Sequence, residues 1–499
     1  MTKKNRSVVR KLALTAVFAL LAALTAATLT ACGKTPLPEP SDKTSVYDMD
    51  VVYGGGNEVS LREEILYYNT TGDTLDEVRL HLYPNAFAEG AENPPFLENE
   101  KDEFYYNGES FGGIEILQVK TDRETAEYEL CGDDDDVLAV PCSLADGEGI
   151  TISLECEITL PQCNSRFGIT QDTVNLTGFY PVVCVYENGG WRDDPYCAIG
   201  DPFYAETASF YVSLQTPEKL SVASSGRVTE SVTSGGVTTR EITAENIRDF
   251  GMCLSAEYEH ASAAFSLGGR EVTVHLYSLN DGAPQDTLAL AVSVLNTFSD
   301  VYGAYPYSEL TVAQSSIHAG GMEYGSFVII DSSVTERASY EQTVIHELAH
   351  QWWFGVVGSD QINAPWLDEG LTEFSTAYYY LLNGDEKTYN DTVTAARDFY
   401  RGYQNLPEEI GFDSSMTRPL YGYIANGEYV AVTYMKGLLL FDTMLQLNGR
   451  DKFNAALSYY YAENAYGIAD ASDLERAFDE KALDVGGIVK AYTEGSVII

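Results

Sequence analysis

The stretch TVIHELAHQWWFGVVGSDQINAPWLDEGLTEF, Thr343 to Phe374, constrains this chain more than any other. It sets His346 and His350 four residues apart, with Glu347 directly after the first, in a chain of 499 residues that has only six histidines. On a helix, residues four apart share a face about 6 Å from one another, so two imidazoles can converge on one ion. A Ser-x-x-Gln box at Ser339 predicts that this helix starts there. Glu347 points one residue round, at the space beside the ion rather than at the ion itself. Two histidines do not complete a catalytic zinc site; a third protein ligand is needed, and one position stays open. Glu369, in Trp-Leu-Asp-Glu-Gly, is the candidate. Residues 351–368 let the chain leave the first helix at Gly355–Gly358 and enter a second at Pro365. The expectation is one zinc ion per chain on His346, His350 and Glu369.

The rest of the chain divides by texture. Stretches such as EVSLREEILYYNT, GITISLECEITL and ASFYVSLQT alternate or cluster β-formers between Gly, Asn and Asp, which predicts stacked antiparallel sheets. Beyond residue 283 helical periodicity takes over, first in QDTLALAVSVLNTFSDVYGAY and then in segments 339–357, 365–382, 389–403, 429–447 and 452–462. The division is expected near FSLGGRE, giving a β domain at 47–262 and a helical domain at 263–499.

The first 31 residues read as a leader. Lys3, Lys4, Arg6, Arg10 and Lys11 form a basic start, LALTAVFALLAAL a short apolar run, and Leu-Thr-Ala-Cys ends it at Cys32. This pattern is similar to a bacterial lipoprotein signal, with Cys32 as the lipidated new N-terminus. An uncleaved anchor or a plain signal are the other readings. The proline-rich 32–46 would then be a tether from the outer face of the cell membrane. Without residues 1–31 the chain carries 25 basic against 75 acidic side chains. Such a surface repels nucleic acid. Asp133–Asp136 read as a solvated loop, since no alternating set of calcium ligands surrounds them. Seven further cysteines all precede residue 254 and include no Cys-x-x-Cys, so disulfide pairing is permitted but not readable.

Taken together, His-Glu-Leu-Ala-His and Glu369 resemble the M1 family of zinc aminopeptidases, the gluzincins. Gly-Gly-Met-Glu-Tyr at 320–324 looks like that family's Gly-x-Met-Glu-Asn exopeptidase motif, with Tyr324 in place of Asn. Val-Thr-Tyr-Met-Lys-Gly from Val432 looks like its catalytic-tyrosine helix, with Met435 where Glu is usual. Segments from TGFYPVVCVYENGG to GDPFYAETASF resemble its N-terminal saddle domain. The resemblance implies an α+β multidomain fold: a β-sandwich or saddle followed by a thermolysin-like, mainly helical zinc-peptidase domain. It also implies roles. Glu347 acts as general base toward a zinc-activated water, and Tyr434 stabilises the oxyanion. Glu323 pairs with the free α-ammonium of a peptide, and Gly320 and Gly321 let the peptide backbone lie alongside. The residue that the β domain gives to the amine site is not assignable from the sequence. Glu373, one turn after Glu369, reads equally as a partner to a ligand histidine or as a solvated helix face. Trp352, Trp353 and Trp366 read as core, and His318 as no ligand. Two other functions stay open. One is a zinc endopeptidase, should Glu323 not meet an amine; the other is a retired peptide-binding lipoprotein.

Overall fold

A computed structural model describes residues 41, 43–406, 412–495 and 497. The leader at 1–31, Cys32 and most of the tether lie outside the described residues. From Ser45 to Ser255 the regular elements of the described chain are strands, apart from short helical turns at Tyr83–Phe87, Glu98–Glu100 and Lys101–Phe104. Strand Glu58–Tyr68 shows why: Val59, Leu61, Ile65 and Tyr67 point inward, while Ser60, Arg62 and Glu64 face solvent. Glu63 breaks this pattern and sits inward among apolar neighbours.

The largest sheet has eight strands, ordered Arg227–Ser234, Val237–Ile247, Ala208–Pro217, Ser45–Tyr53, Glu58–Tyr68, Gly149–Thr159, Gly113–Thr121 and Glu124–Thr125. It is antiparallel except that Ser45–Tyr53 and Ala208–Pro217 run parallel. That pairing joins segments far apart in the chain, which alternation alone does not reveal. Two four-stranded sheets share its core; one is built on Val174–Thr177 and Gly251–Ser255, the other on Leu75–His81 and Val137–Leu144.

A five-stranded mixed sheet links the two halves. Its order is Glu259–Leu267, Arg270–Ser278, Glu309–Ser315, Phe327–Asp331 and Gly321–Tyr324. Alternation along its strands serves two cores at once. Val312, Val328 and Ile330 pack under the helices, whereas Ala313, Met322 and Ile329 pack into the β core. The boundary expected after residue 262 falls inside strand Glu259–Leu267. Gly268 and Gly269, both at positive φ, turn a hairpin into the next strand, so FSLGGRE is not a linker. We place the division at 256–258 instead.

Helices cover the other face of this sheet: Pro284–Val301, Arg337–His350, Leu371–Leu382, Glu386–Gln404, Lys436–Asn448 and Arg450–Glu463. Two shorter ones, Ala471–Asp479 and Gly486–Thr493, follow without any expectation from the sequence. The stretch Asn426–Asn448 is apolar enough to cross a membrane, but most of its apolar window lies inside the fold, where Leu438, Leu440 and Phe441 join the helical core. The seven cysteines among the described residues are free thiols.

Candidate metal centre and substrate cleft

Helix Arg337–His350 starts two residues before Ser339. Its N-cap is Glu336, whose carboxylate accepts from the Ser339 backbone N–H at 2.8 Å and from its hydroxyl at 3.0 Å. Ser339 is therefore a donor within the first turn rather than the cap. Val344, Ile345, Leu348 and Ala349 are buried in the helical core. His346, Glu347 and His350 are left on the opposite side. The helix then widens into a π-type turn over Gln351–Val356. Two more π-type segments follow, Trp366–Gly370 and Val430–Met435. All three flank the site: one follows His350, one carries Glu369 and one carries Tyr434. Such widened turns rotate side chains away from helical register and occur frequently at functional sites. Trp352, Trp353 and Trp366 are buried in the core, with the Trp352 and Trp353 indoles donating to Gly303 O and Ser375 Oγ, each at 2.9 Å.

His346 Nε2, His350 Nε2 and Glu369 Oε2 form a triangle with sides of 3.1, 3.2 and 3.4 Å. Two donors about 2.05 Å from a tetrahedral zinc lie about 3.3 Å apart, so the triangle matches one face of a zinc tetrahedron. Each imidazole is turned to offer Nε2. His346 Nδ1–H donates to Glu373 Oε2 at 3.0 Å, and His350 Nδ1–H donates to Asp368 Oδ1 at 2.8 Å. Carboxylates in this position fix the tautomer and raise ligand basicity. The donor set, two imidazoles and a carboxylate, suits zinc. Glu373 thus partners His346, a candidate ligand, rather than forming a solvated helix face. Asp368, inside the same Trp-Leu-Asp-Glu-Gly, has no signal of its own in the sequence. His318 lies elsewhere, 3.9 Å from Glu103 of the β region.

Two glycine contacts make the close approaches possible. A Cβ on Gly370 would come within 2.9 Å of Gly437 Cα, and one on Gly437 within 2.5 Å of Gly370 Cα. The segment bearing Glu369 and the helix after Tyr434 therefore cross with no side chain between them. Tyr434 stacks on His346, with ring centroids 5.7 Å apart and planes 12° apart. Burial holds its phenol well above the ordinary range, so it stays a proton donor. The second contact is at Gly321, where a Cβ would overlap the Glu347 carboxylate. Around Gly320 there is open space. Gly320, Gly321, Thr343, His346, Glu347 and Tyr434 line a cleft of about 420 Å³.

On the other side of the metal triangle the site closes against the β region. Oxygens of Asp201, Glu323 and Glu369 lie within 4.8 Å of one another. Glu323 is buried on the edge strand Gly321–Tyr324. Tyr324, which stands where the motif has Asn, turns away and donates to Thr177 Oγ1 at 2.7 Å. Asp201 comes from the GDPFY loop of the β region and is ion-paired to Arg166. Arg166 also donates to Gly200 O at 3.1 Å. No spacing in the sequence marks Asp201.

Burial first, then neighbouring acids, push these carboxyls upward, against the pull of Arg166 on Asp201 and of the two histidines on Glu347. Asp201 reaches about 6 and Glu347 about 7. Burial also drives Glu323 well above its ordinary range, although His350 pulls it down. Glu369 goes the other way: burial would raise it, but His350 and His346 outweigh burial and hold it low. The cluster is short of positive charge, which a divalent ion would supply.

The sequence model described as "Peptidase family M1 domain" matches residues 287–492. An alanine/arginine aminopeptidase of Saccharomyces cerevisiae is 27% identical over 225 residues, 41% of this chain and 25% of that protein. Aminopeptidase N of Streptomyces lividans is 29% identical over 198 residues, 36% of this chain and 22% of that protein. The matched part thus spans about a quarter of those relatives. Among solved structures, an M1 zinc metallopeptidase from Deinococcus radiodurans superposes with a TM-score of 0.66 at 17% identity, over 94% of this chain and 97% of that one. An E323A mutant of that protein, described as bound to a Tyr-Ser-Ala substrate, gives 0.66 at 16%, over 94% and 98%. Those likenesses establish the fold. With the domain match and the metal-site motifs, they lead to one conclusion: residues 287–492 carry a peptidase family M1 domain, in a chain whose fold is that of the M1 zinc metallopeptidase structures.

Proposed function

We propose that the protein is a zinc aminopeptidase that removes N-terminal residues from peptides, acting outside the cytoplasm while held to the membrane by a lipid on Cys32. One observation carries the exopeptidase reading. Beside the metal triangle, half-buried Asp201 and buried Glu323 set two carboxylates within 4.8 Å of Glu369 in an acidic recess. A recess of that charge, one residue's length from the ion, suits a free α-ammonium and fixes the cut at the first peptide bond. Arg166 would hold Asp201 in place from the β region.

Bound to His346, His350 and Glu369, a zinc ion supplies Lewis acidity toward the scissile carbonyl and the attacking water. Glu347, raised toward neutrality by burial, is suited to take the water's proton and hand it to the leaving nitrogen. Tyr434 keeps its proton and donates to the developing oxyanion. Gly320 and Gly321 leave the edge strand bare on the cleft side, so a peptide can add alongside it. The leader pattern and the large acidic excess support an exported, tethered protein that does not bind nucleic acid.

The test uses residues 33–499, loaded with zinc, and alanyl-coumarin offered free and N-acetylated. Cleavage of the free substrate alone, abolished by a chelator and restored by zinc, is expected. Equal cleavage of both would make the protein an endopeptidase. No cleavage at full zinc occupancy would leave only a peptide-binding role.

A further inference from the structure

Between the acidic recess and the metal ligands lies Gln361, which no motif singles out. It is 2% exposed. Its Nε2 donates twice, to Glu323 Oε1 at 2.9 Å and to Asp368 Oδ2 at 2.7 Å. The other oxygen of Asp368 accepts from His350 Nδ1 at 2.8 Å. An unbroken line of hydrogen bonds therefore runs Glu323–Gln361–Asp368–His350. Its first member faces the recess and its last is a metal-ligand histidine.

The chemistry of position 361 is specific. Two buried carboxylates face one group, and a primary amide nitrogen gives each of them one N–H. Asp368 sets the amide orientation: its Oδ1 already accepts from His350, and the opposite flip would put the Gln361 carbonyl oxygen against its Oδ2. A hydrocarbon of equal length would leave both carboxylates without this donor, in a place that water scarcely reaches. The loop is itself fixed. Asp360 Oδ1 accepts from the backbone N–H groups of Ile362 and Asn363 at 3.1 and 2.9 Å. Asp360 Oδ2 accepts from Arg192 of the β region at 3.1 Å. Docking of the β region thus helps set the backbone from which Gln361 reaches inward.

We propose that Gln361 is a positioning residue with two clients. It holds Glu323 where a substrate ammonium must find it, and it holds Asp368 against His350 so that the imidazole presents Nε2. The first half rests on the aminopeptidase reading; the second rests on the metal triangle alone. One amide would then join substrate recognition to metal retention, and removing it would weaken both.

The test compares zinc-loaded residues 33–499 with Gln361→Met, in the wild-type and Glu323→Ala backgrounds. Charge-assisted hydrogen bonds of this kind are worth about a ten-fold change or more. For Gln361→Met, KM for alanyl-coumarin should rise about ten-fold or more while kcat stays within about three-fold. In the Glu323→Ala background the same substitution should add less than about two-fold to KM, because its client is already gone. Independently of activity, chelator titration should strip zinc from Gln361→Met at about ten-fold lower chelator. Should Gln361→Met fail to fold, Gln361→Asn keeps the amide but is too short to span both carboxylates, and the same KM and zinc shifts are expected. Unchanged KM and unchanged zinc retention would overturn the proposal, as would a KM penalty that persists in full without Glu323. If wild type ignores free-amine substrates, the aminopeptidase reading fails, and the zinc titration still decides the Asp368 half.

Discussion

Replacing Gly321 with alanine should disable the enzyme without unfolding it. The Glu347 carboxylate lies over the bare α-carbon of Gly321. A Cβ there would overlap Oε1 and come within 2.5 Å of Cδ and 2.7 Å of Cγ. Ordinary contact begins near 3.4 Å, so the carboxylate must retreat by about an ångström. What retreats is the free end of a flexible side chain. The strand Gly321–Tyr324 can keep its pairing with Phe327–Asp331, and stability should change by less than about 1 kcal/mol. Glu347, the proposed base, is however displaced. A shift of about 1 Å in a reacting group costs about 100-fold, or about 2.7 kcal/mol of barrier. Gly320→Ala is the control for kcat alone, because its methyl enters the cleft, where it bears on peptide binding and KM, and leaves Glu347 undisturbed. The assay is kcat on alanyl-coumarin, with zinc content and melting temperature measured on the same samples. The expected result is Gly321→Ala down about 100-fold at full zinc and near-native melting, with Gly320→Ala within about three-fold of wild type. Wild-type kcat in Gly321→Ala would refute the reasoning.

Other perturbations bear on other links. Asp368 is fully buried, whereas Glu373 is partly open to water that can replace it. Asp368→Asn should therefore lower zinc affinity about 100-fold and Glu373→Gln about 10-fold; chelator competition measures both, and the reverse order would contradict the account. Arg248 is buried and donates to Phe354 O, Ala205 O and Gly467 O, each at 2.8 Å, tying three segments together. Arg248→Lys leaves one or more of these carbonyls unpaired and should lose roughly 3 kcal/mol in urea unfolding; a loss below about 1 kcal/mol would count against it. Glu63 is buried with neither carboxylate oxygen partnered, and burial pushes it well above its ordinary 4.5. A raised folded-state value means the folded protein binds the proton more tightly, so the contribution to stability falls as pH rises above about 4.5. Glu63→Met should gain over wild type toward about pH 8, with the gain shrinking toward about pH 4.5; parallel pH profiles would refute this.

The cluster of His346, His350 and Glu369 was legible because helical spacing alone puts the two histidines on one face, and because Trp-Leu-Asp-Glu-Gly marks Glu369. The division of the chain into β and helical parts followed from alternation and periodicity. What stayed hidden depends on contacts between distant segments. Asp201 and Gln361 gain their meaning only when the GDPFY loop and the loop after Gly358 fold onto the edge strand. The parallel pairing of Ser45–Tyr53 with Ala208–Pro217 joins residues that no local pattern links. The boundary was misread because Gly268–Gly269 serves a hairpin turn as readily as a linker. The helix start was misread because Glu336, three residues before Ser339, accepts Ser339's own backbone N–H, which a box starting at Ser339 would have left to the Gln342 side chain.

Zinc-edge anomalous diffraction from crystals of residues 33–499 tests the centre of this account most directly. A single strong peak about 2.0–2.2 Å from His346 Nε2, His350 Nε2 and a Glu369 oxygen is expected. A zinc peak displaced from either imidazole, or one held by Asp201 and Glu323 instead, would contradict it.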